Sequence, residues 1–165
     1  MTVTTLDQPR TTSRPAAVLV RGLSLFFTGL FAGFLLGVLV FENSLRSYDA
    51  SIYAQVRLIE LDSLDKLASA TLIPALISTA VLAVLARGNK RWLFVALALL
   101  VVVLAVTMAV NLPINGDQAD WSVRNPPSDW ATVRDHWQLA HLVRTVAAIG
   151  AFGSLIVAGV TRKRA

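Results

Sequence analysis

The sequence predicts an all-α integral membrane protein: a bundle of four transmembrane helices, with a short amphipathic outer helix between helices 1 and 2. Two observations carry this reading. Of 165 residues, 55% are hydrophobic and the mean hydropathy is +0.63, more apolar than a soluble domain of this size usually is. The apolar residues also gather in four blocks, at about 18–41, 68–85, 92–110 and 139–160. Each block is close to the ~20 residues that cross a hydrocarbon core about 30 Å thick. Only helices satisfy their own backbone polar groups there without closing a barrel.

The first block divides the chain into a tail and a membrane domain. Residues 1–17 are rich in Thr, Ser and Pro and read as a disordered cytoplasmic tail. Residues 18–165 form the four-helix domain. Block one is too long for a cleaved signal peptide, and no small-x-small cleavage site follows it. It is therefore read as a retained helix. No internal repeat is evident.

Direction across the bilayer follows from the basic residues. Arg10, Arg14 and Arg21 precede or open the first helix, Arg87, Lys90 and Arg91 link the second to the third, and Arg162, Lys163 and Arg164 follow the fourth. These are nine of the fifteen Lys and Arg, and short basic segments stay cytoplasmic. Both termini are thus expected in the cytoplasm, with the protein in the plasma membrane. All ten acids except Asp7 lie on or near the opposite side. The net charge of +5 does not signal nucleic acid, because the basic residues flank apolar blocks instead of forming one face. Membrane lipids are the expected surroundings, and the oligomeric state is open. The absence of cysteine excludes a disulfide framework, a thiol redox pair and cysteinyl metal or Fe–S sites.

Two outer segments connect the helices. In residues 42–67, Leu45, Tyr48, Ile52, Val56 and Ile59 recur at helical spacing, with Arg46, Asp49, Arg57 and Glu60 on other faces. This amphipathic helix can be a lid over a membrane-facing pocket, or it can rest in the headgroup layer. The segment 111–129 carries the turn signals Asn115-Gly116 and Asn125-Pro126-Pro127. Pro113 is expected to end helix three, and Ser128 or Asp129 is expected to cap a helix leading into block four. Gly29, Gly33 and Gly37 on helix one, and Gly150, Ser154 and Ala158 on helix four, repeat every four residues. Small residues at this spacing let helices approach closely, within one bundle or between two copies.

The candidate site is a polar stripe. Trp130, Arg134, Trp137, His141 and Arg144 share one helical face, and the last two fall within or beside block four. An arginine there turns inward and finds a partner, because at the centre of hydrocarbon it costs about 2.5–3.5 kcal/mol. Asn111 and Asn115 at the end of helix three, and Glu42 at the end of helix one, lie at the same depth, and a Glu42–Arg144 ion pair is one arrangement. A polar cluster converging in an apolar setting is the default site hypothesis. The bland alternative is structural: Arg144 pairs with Glu42 or a headgroup phosphate, the tryptophans anchor at the interface, and Asn111 caps helix three. No metal is expected, since His136 and His141 are five residues apart and point about 140° apart on a helix. Bis-histidine haem meets the same obstacle. No phosphate-binding glycine loop, Ser-His-Asp pattern or dinucleotide fingerprint is present.

At these residues the chain resembles the four-helix DUF1772 proteins, the anthrone oxygenase family. Their N-x-P-x-N pattern matches Asn111-Leu-Pro113-Ile-Asn115, and their Trp-rich approach to a polar-x-x-Arg helix matches Trp130, Trp137 and His141-Leu-Val-Arg144. The resemblance covers helices three and four, and the earlier part by architecture. The segment between Asn115 and Trp130 is shortened and rewritten relative to the family. The resemblance implies oxidation of an anthrone-like apolar aromatic with dioxygen and without an organic cofactor. Residue usage looks bacterial.

An anthrone has an acidic carbon between aromatic rings, so its oxidation needs a base and groups that stabilise the resulting anion. On this reading His141 is the base, Arg144, Asn111 and Asn115 stabilise charge, and Trp130, Trp137 and Glu42 bind substrate. The other reading that stays open is a non-catalytic membrane protein that binds lipid or a partner protein through the same end. A transporter fits less well, because no acid lies deep in a core of only four helices.

Overall fold

The computed structural model describes residues 14–86 and 90–161. It consists of α1 (Arg14–Ser44), α2 (Ala50–Leu85), α3 (Arg91–Val106), α4 (Leu112–Ala119) and α5 (Trp130–Val160). A 3₁₀ turn, Leu45–Ser47, follows α1, and a π-helical turn, Thr107–Asn111, joins α3 and α4 into one rod. Four rods are long and apolar enough to cross a bilayer, as an integral membrane protein requires: Pro15–Ser47, Ala50–Leu85, Arg91–Ala119 and Trp130–Val160. Of the proposed tail at residues 1–17, residues 1–13 lie outside the described residues, as do Arg87, Arg162, Lys163 and Arg164, while residues 14–17 already belong to α1.

The rods exceed what a membrane needs. At about 1.5 Å per residue, the 36 residues of α2 span roughly 54 Å, against a hydrocarbon core of about 30 Å. The amphipathic outer segment is therefore not a separate helix. It is the opening turns of α2, started by the Asp49 carboxylate, which accepts the Ile52 N–H at 2.9 Å. Apart from Leu45, which is buried, its apolar stripe faces outward: Tyr48, Ile52 and Ile59 are exposed, while Tyr53, Ala54, Arg57 and Glu60 are buried. This inverts the arrangement of a soluble amphipathic helix, whose apolar stripe faces the core.

Pro113 does not end the third span. A proline ring inside a helix collides with the carbonyl four residues back and offers no N–H. Here the backbone widens into the π turn just before it, with the Leu112 N–H reaching the Thr107 carbonyl. Pro113 then falls in the first turn of α4, where a missing N–H costs little. Asn115-Gly116, a turn signal in the sequence, is helical as a result. The actual loop is residues 120–129, which turns at Ser122–Asn125. It is tied to the start of α2 by the Ser51 hydroxyl, which donates to the Val123 carbonyl at 2.8 Å. Asp129 stands at the N-cap of α5, yet its side chain makes no capping bond.

The four rods form a ring in which α1 packs on α2 and α5, α3 packs chiefly on α5, and α2 meets α3 over a shorter stretch. Phe31, Leu35, Leu82, Leu100 and Leu155 fill the middle, with Ala75, Ala96, Ala148 and Ala151 fully buried between them. Of the small-residue stripes, only parts make tight contacts. A Cβ at Gly29 would meet the Phe152 ring at 2.9 Å, and one at Gly150 would meet Leu99 at 3.2 Å, whereas Gly33 and Gly37 have nothing within 4 Å. Gly29→Val is therefore expected to overpack the α1–α5 seam and cost about 1–3 kcal/mol, read as a lower thermal midpoint in detergent. Gly33→Val, facing open space, should melt with the parent protein.

Candidate functional site

At the end of the bundle opposite the termini, Arg57 of α2 points into the interior and is only 2% exposed. A buried guanidinium must place five N–H groups, and neighbouring elements supply an acceptor for each. Nε and Nη2 donate to the Gln118 side-chain oxygen at 3.1 and 2.9 Å, and Nη2 also donates to Asn115 Oδ1 at 3.1 Å. Nη1 donates to Glu42 at 3.0 Å and to Glu60 at 2.5 Å. The guanidinium carbon also lies 4.2 Å from the centre of the Trp137 ring, a cation–π contact. Arg57 thus ties α1, α2, α4 and α5 together.

The network continues outward. Gln138 of α5 donates to the Glu42 carbonyl at 2.9 Å and to its carboxylate at 3.1 Å, and accepts from Arg46. Arg46 pairs with Asp135 at 3.1 Å, with both side chains close to half exposed. Above the network, Tyr53 lies under Trp121 and Trp130 at ring separations of 6.3 and 5.6 Å. The Arg134 guanidinium sits 4.9 Å from the Trp130 ring.

Beside the Arg57 hub lies a cleft of about 600 Å³, counting its open mouth. Arg57, Glu60, Trp137, His141, Arg144 and Leu35 form its buried floor. Phe34, Val38, Leu64 and Ala68 supply apolar walls, and Asp65, Asn115 and Thr107 add polar ones. The exposed members of its lining are Ser69 of α2 and Leu112 of α4. The cleft therefore opens between α2 and the α3–α4 rod, the seam where helix packing is shortest. Ser69 is about 24 Å along α2 from Leu85, a distance shorter than the roughly 30 Å of a hydrocarbon core.

Each expected site residue has a definite place. His141 and Arg144 turn inward, at 1% and 8% exposure. Arg144 donates to Thr107 Oγ1 at 3.1 Å and, through Nη2, to His141 Nδ1 at 2.8 Å. A guanidinium only donates, so His141 Nδ1 accepts, and Nε2 carries the proton donated to the Leu35 carbonyl at 2.9 Å. Both ring nitrogens are thus engaged, and the ring stacks on Trp137 at 4.9 Å and 6°. Asn115 lines the cleft, accepting the Trp137 indole N–H at 2.6 Å and donating to both Asp65 oxygens at 3.1 Å.

The remaining three stand behind or above the cleft. Asn111 is buried behind it and donates to the Trp137 carbonyl at 3.2 Å. Trp130 belongs to the aromatic roof. Glu42 is fully buried, pairs with Arg57 and lies outside the lining. The Glu42–Arg144 ion pair does not form, because Arg57 approaches Glu42 from α2 first. His136 is exposed on the helix surface, remote in character from buried His141. Among the described residues no group of three or more His, Asp or Glu side chains converges as metal ligands would.

The residues missed by sequence reading are Arg57, Glu60, Asp65, Gln118 and Gln138. Arg57, Glu60 and Leu64 do carry a signal, spaced three and four apart on one helical face. Periodicity alone leaves open which way this face turns, although in a span that continues into lipid the polar face is the one that must turn inward.

Breaking the hub leaves buried carboxylates without a counter-charge. Arg57→Met is expected to cost about 3–5 kcal/mol, seen as a large fall in the thermal midpoint in detergent. Arg46→Met, at the half-exposed pair, should cost less than about 1 kcal/mol. Equal melting of Arg57→Met and the parent protein contradicts the role of the hub.

No curated protein and no solved structure matches the chain. A family model described as anthrone oxygenase matches residues 66–154. The matched span contains the mouth of the cleft, the π turn, Asn115 and the Trp137–His141–Arg144 floor. It stops short of Glu42, Arg57 and Glu60, which come from the first part of the chain. The match takes in more than half of the sequence, and the chain belongs to the anthrone oxygenase family.

Proposed function

We propose that this protein oxidises a small apolar aromatic, anthrone-like in carrying an acidic CH₂ between rings, with dioxygen as the oxidant. The observation that carries the reading is a guanidinium on the floor of the cleft. Arg144 is buried beside apolar walls, and its Nε has no hydrogen-bond partner. A buried donor left unpaired costs of the order of 1–3 kcal/mol, and a guanidinium beside apolar walls stabilises a ligand oxygen that becomes anionic in a medium where charge–dipole interactions are strong.

The reaction converts CH₂ and O₂ into C=O and H₂O. Removing one C–H proton gives a delocalised anion whose charge rests on the ring oxygen. That anion passes an electron to O₂, and the resulting radical pair joins as a peroxide. Reprotonation of the peroxide, loss of the second C–H proton and O–O cleavage release water and the ketone. Arg144 is placed to hold the ring oxygen while its charge develops. Asn115 orders the Trp137 edge, and Phe34, Leu35, Val38 and Leu64 exclude water from the anion. Asn111 and Glu42 act through Trp137 and Arg57, and Trp130 roofs the network.

A mouth at hydrocarbon depth suits a substrate dissolved in the membrane. The distribution of basic residues supports a plasma-membrane protein with cytoplasmic termini and the cleft on the outer half.

The test is oxygen uptake by purified protein in micelles given an anthrone. Uptake above protein-free micelles is expected, falling about 100-fold in Arg144→Met while the helical circular dichroism and melting stay near those of the parent. Uptake no greater than in empty micelles refutes the oxygenase reading for that substrate. Loss of folding together with activity in Arg144→Met assigns the arginine a structural role.

A further inference from the structure

Three groups with a titratable acceptor line the cleft floor and mouth: His141, Asp65 and Glu60. His141 has both ring nitrogens in hydrogen bonds, one of them to a guanidinium. Asp65 stands half-buried near the mouth, and both its oxygens receive the Asn115 amide. Glu60 is 6% exposed. One of its oxygens, Oε2, is held by Arg57 at 2.5 Å, and the other, Oε1, is buried without a hydrogen-bond partner.

We infer that Glu60, through its free Oε1, is the base that takes the substrate C–H proton and returns it later in the cycle. The inference rests on the reading that the cleft binds an acidic C–H compound.

Its physical case is positional. A base must be fixed at hydrogen-bond reach of the proton it removes. The Arg57–Oε2 bond fixes this carboxylate, and Arg57 is itself fixed by Glu42, Asn115 and Gln118. The approach of Glu42 and Glu60 to the same Nη1 adds a driving force, since a proton arriving on Glu60 removes a repulsion between two buried carboxylates. Arg144, across the same floor, remains cationic to face the anion formed. In the step itself the C–H bond breaks, its proton goes to Oε1 and its electron pair stays on the substrate as the delocalised anion. Glu60 then gives this proton to the peroxide formed with O₂. It next takes the second C–H proton as the O–O bond breaks, and that proton and the departing hydroxide leave as water.

Proton abstraction needs no oxygen, so it can be measured apart from oxidation. Purified protein in micelles is given an anthrone in D₂O under strict anaerobiosis, and deuterium entry at the CH₂ is followed by mass spectrometry. The parent protein is expected to accelerate exchange over protein-free micelles. Glu60→Gln, which keeps an oxygen for Arg57, is expected to slow the catalysed exchange by about 100-fold. Should Glu60→Gln fail to hold its helical melt, Glu60→Asp replaces it. The shortened carboxylate withdraws from the substrate carbon, and exchange should fall by at least about tenfold.

Exchange in Glu60→Gln equal to that of the parent overturns the inference. So does exchange that survives in Glu60→Gln but is lost in Asp65→Asn, and so does a folded parent protein that gives no acceleration at all. Glu60-dependent exchange without aerobic oxygen uptake upholds Glu60 as the base and removes the oxygenase reading instead.

Discussion

Arg57 stands in the middle of one end of the bundle with every N–H group occupied, and the elements around it take their positions from those bonds. Glu42 comes from the last turn of α1, Glu60 from the next turn of α2, and Asn115 and Gln118 from α4. In lipid, apolar helix surfaces gain little by leaving the solvent, so packing and polar bonds must set helix positions. A guanidinium whose five donors are spread over three helices sets them with more geometric precision than dispersion alone. Toward the other end, the Arg21 guanidinium donates to the Ala158 carbonyl at 3.3 Å. There the Ser24–Thr79 hydrogen bond at 2.8 Å and alanine-rich contacts hold the rods together.

The π turn before Pro113 serves the same hub. One extra residue in a helical turn rotates everything after it by about 100° about the axis. That rotation decides where Asn115 and Gln118 project, and in this chain they meet Arg57. Proline, which would break a regular helix, here stabilises a register shift and then sits where its missing N–H does no harm. π turns inside helices often mark functional positions. This one lies against the cleft, and its first residue, Thr107, accepts from Arg144.

The cleft combines two environments that rarely meet. Phe34, Val38, Leu64 and Ala68 give it walls as apolar as lipid, and its floor carries two guanidinium groups, a carboxylate and an imidazole. The floor is tolerable because most of these groups bond to one another, and the exceptions, Arg144 Nε and Glu60 Oε1, belong to residues that line the cleft. Unsatisfied groups inside a hydrocarbon-facing protein are costly. Among the described residues Thr28, Tyr53, Asn111 and Gln118 also keep a buried polar atom without a partner, so such groups extend beyond the cleft into the network around it. The family match begins at residue 66, so the arginine hub and Glu60 are contributed by a part of the chain outside the matched span.

Much of this architecture was legible in the sequence. Four apolar blocks of membrane-crossing length admit only helices, and the cost of burying Arg144 in lipid dictates that the His141–Arg144 face turns inward. What could not be read was how far each helix runs and which partners meet. Pro113 and Asn115-Gly116 signal a break in a regular helix, yet a π turn absorbs the proline, a backbone adjustment with no residue signature of its own. The stripe ending in Ile59 is apolar whether it faces lipid or core, so periodicity alone left open the side on which Arg57 and Glu60 lie. Composition and hydrophobic spacing thus determined the spans and the inward arginine, because transfer to hydrocarbon is a property of each residue. Tertiary structure alone decided that Glu42 pairs with Arg57 and not with Arg144, and that His141 is fully bonded while Glu60 keeps a free oxygen, because hydrogen-bond partners depend on geometry among distant elements.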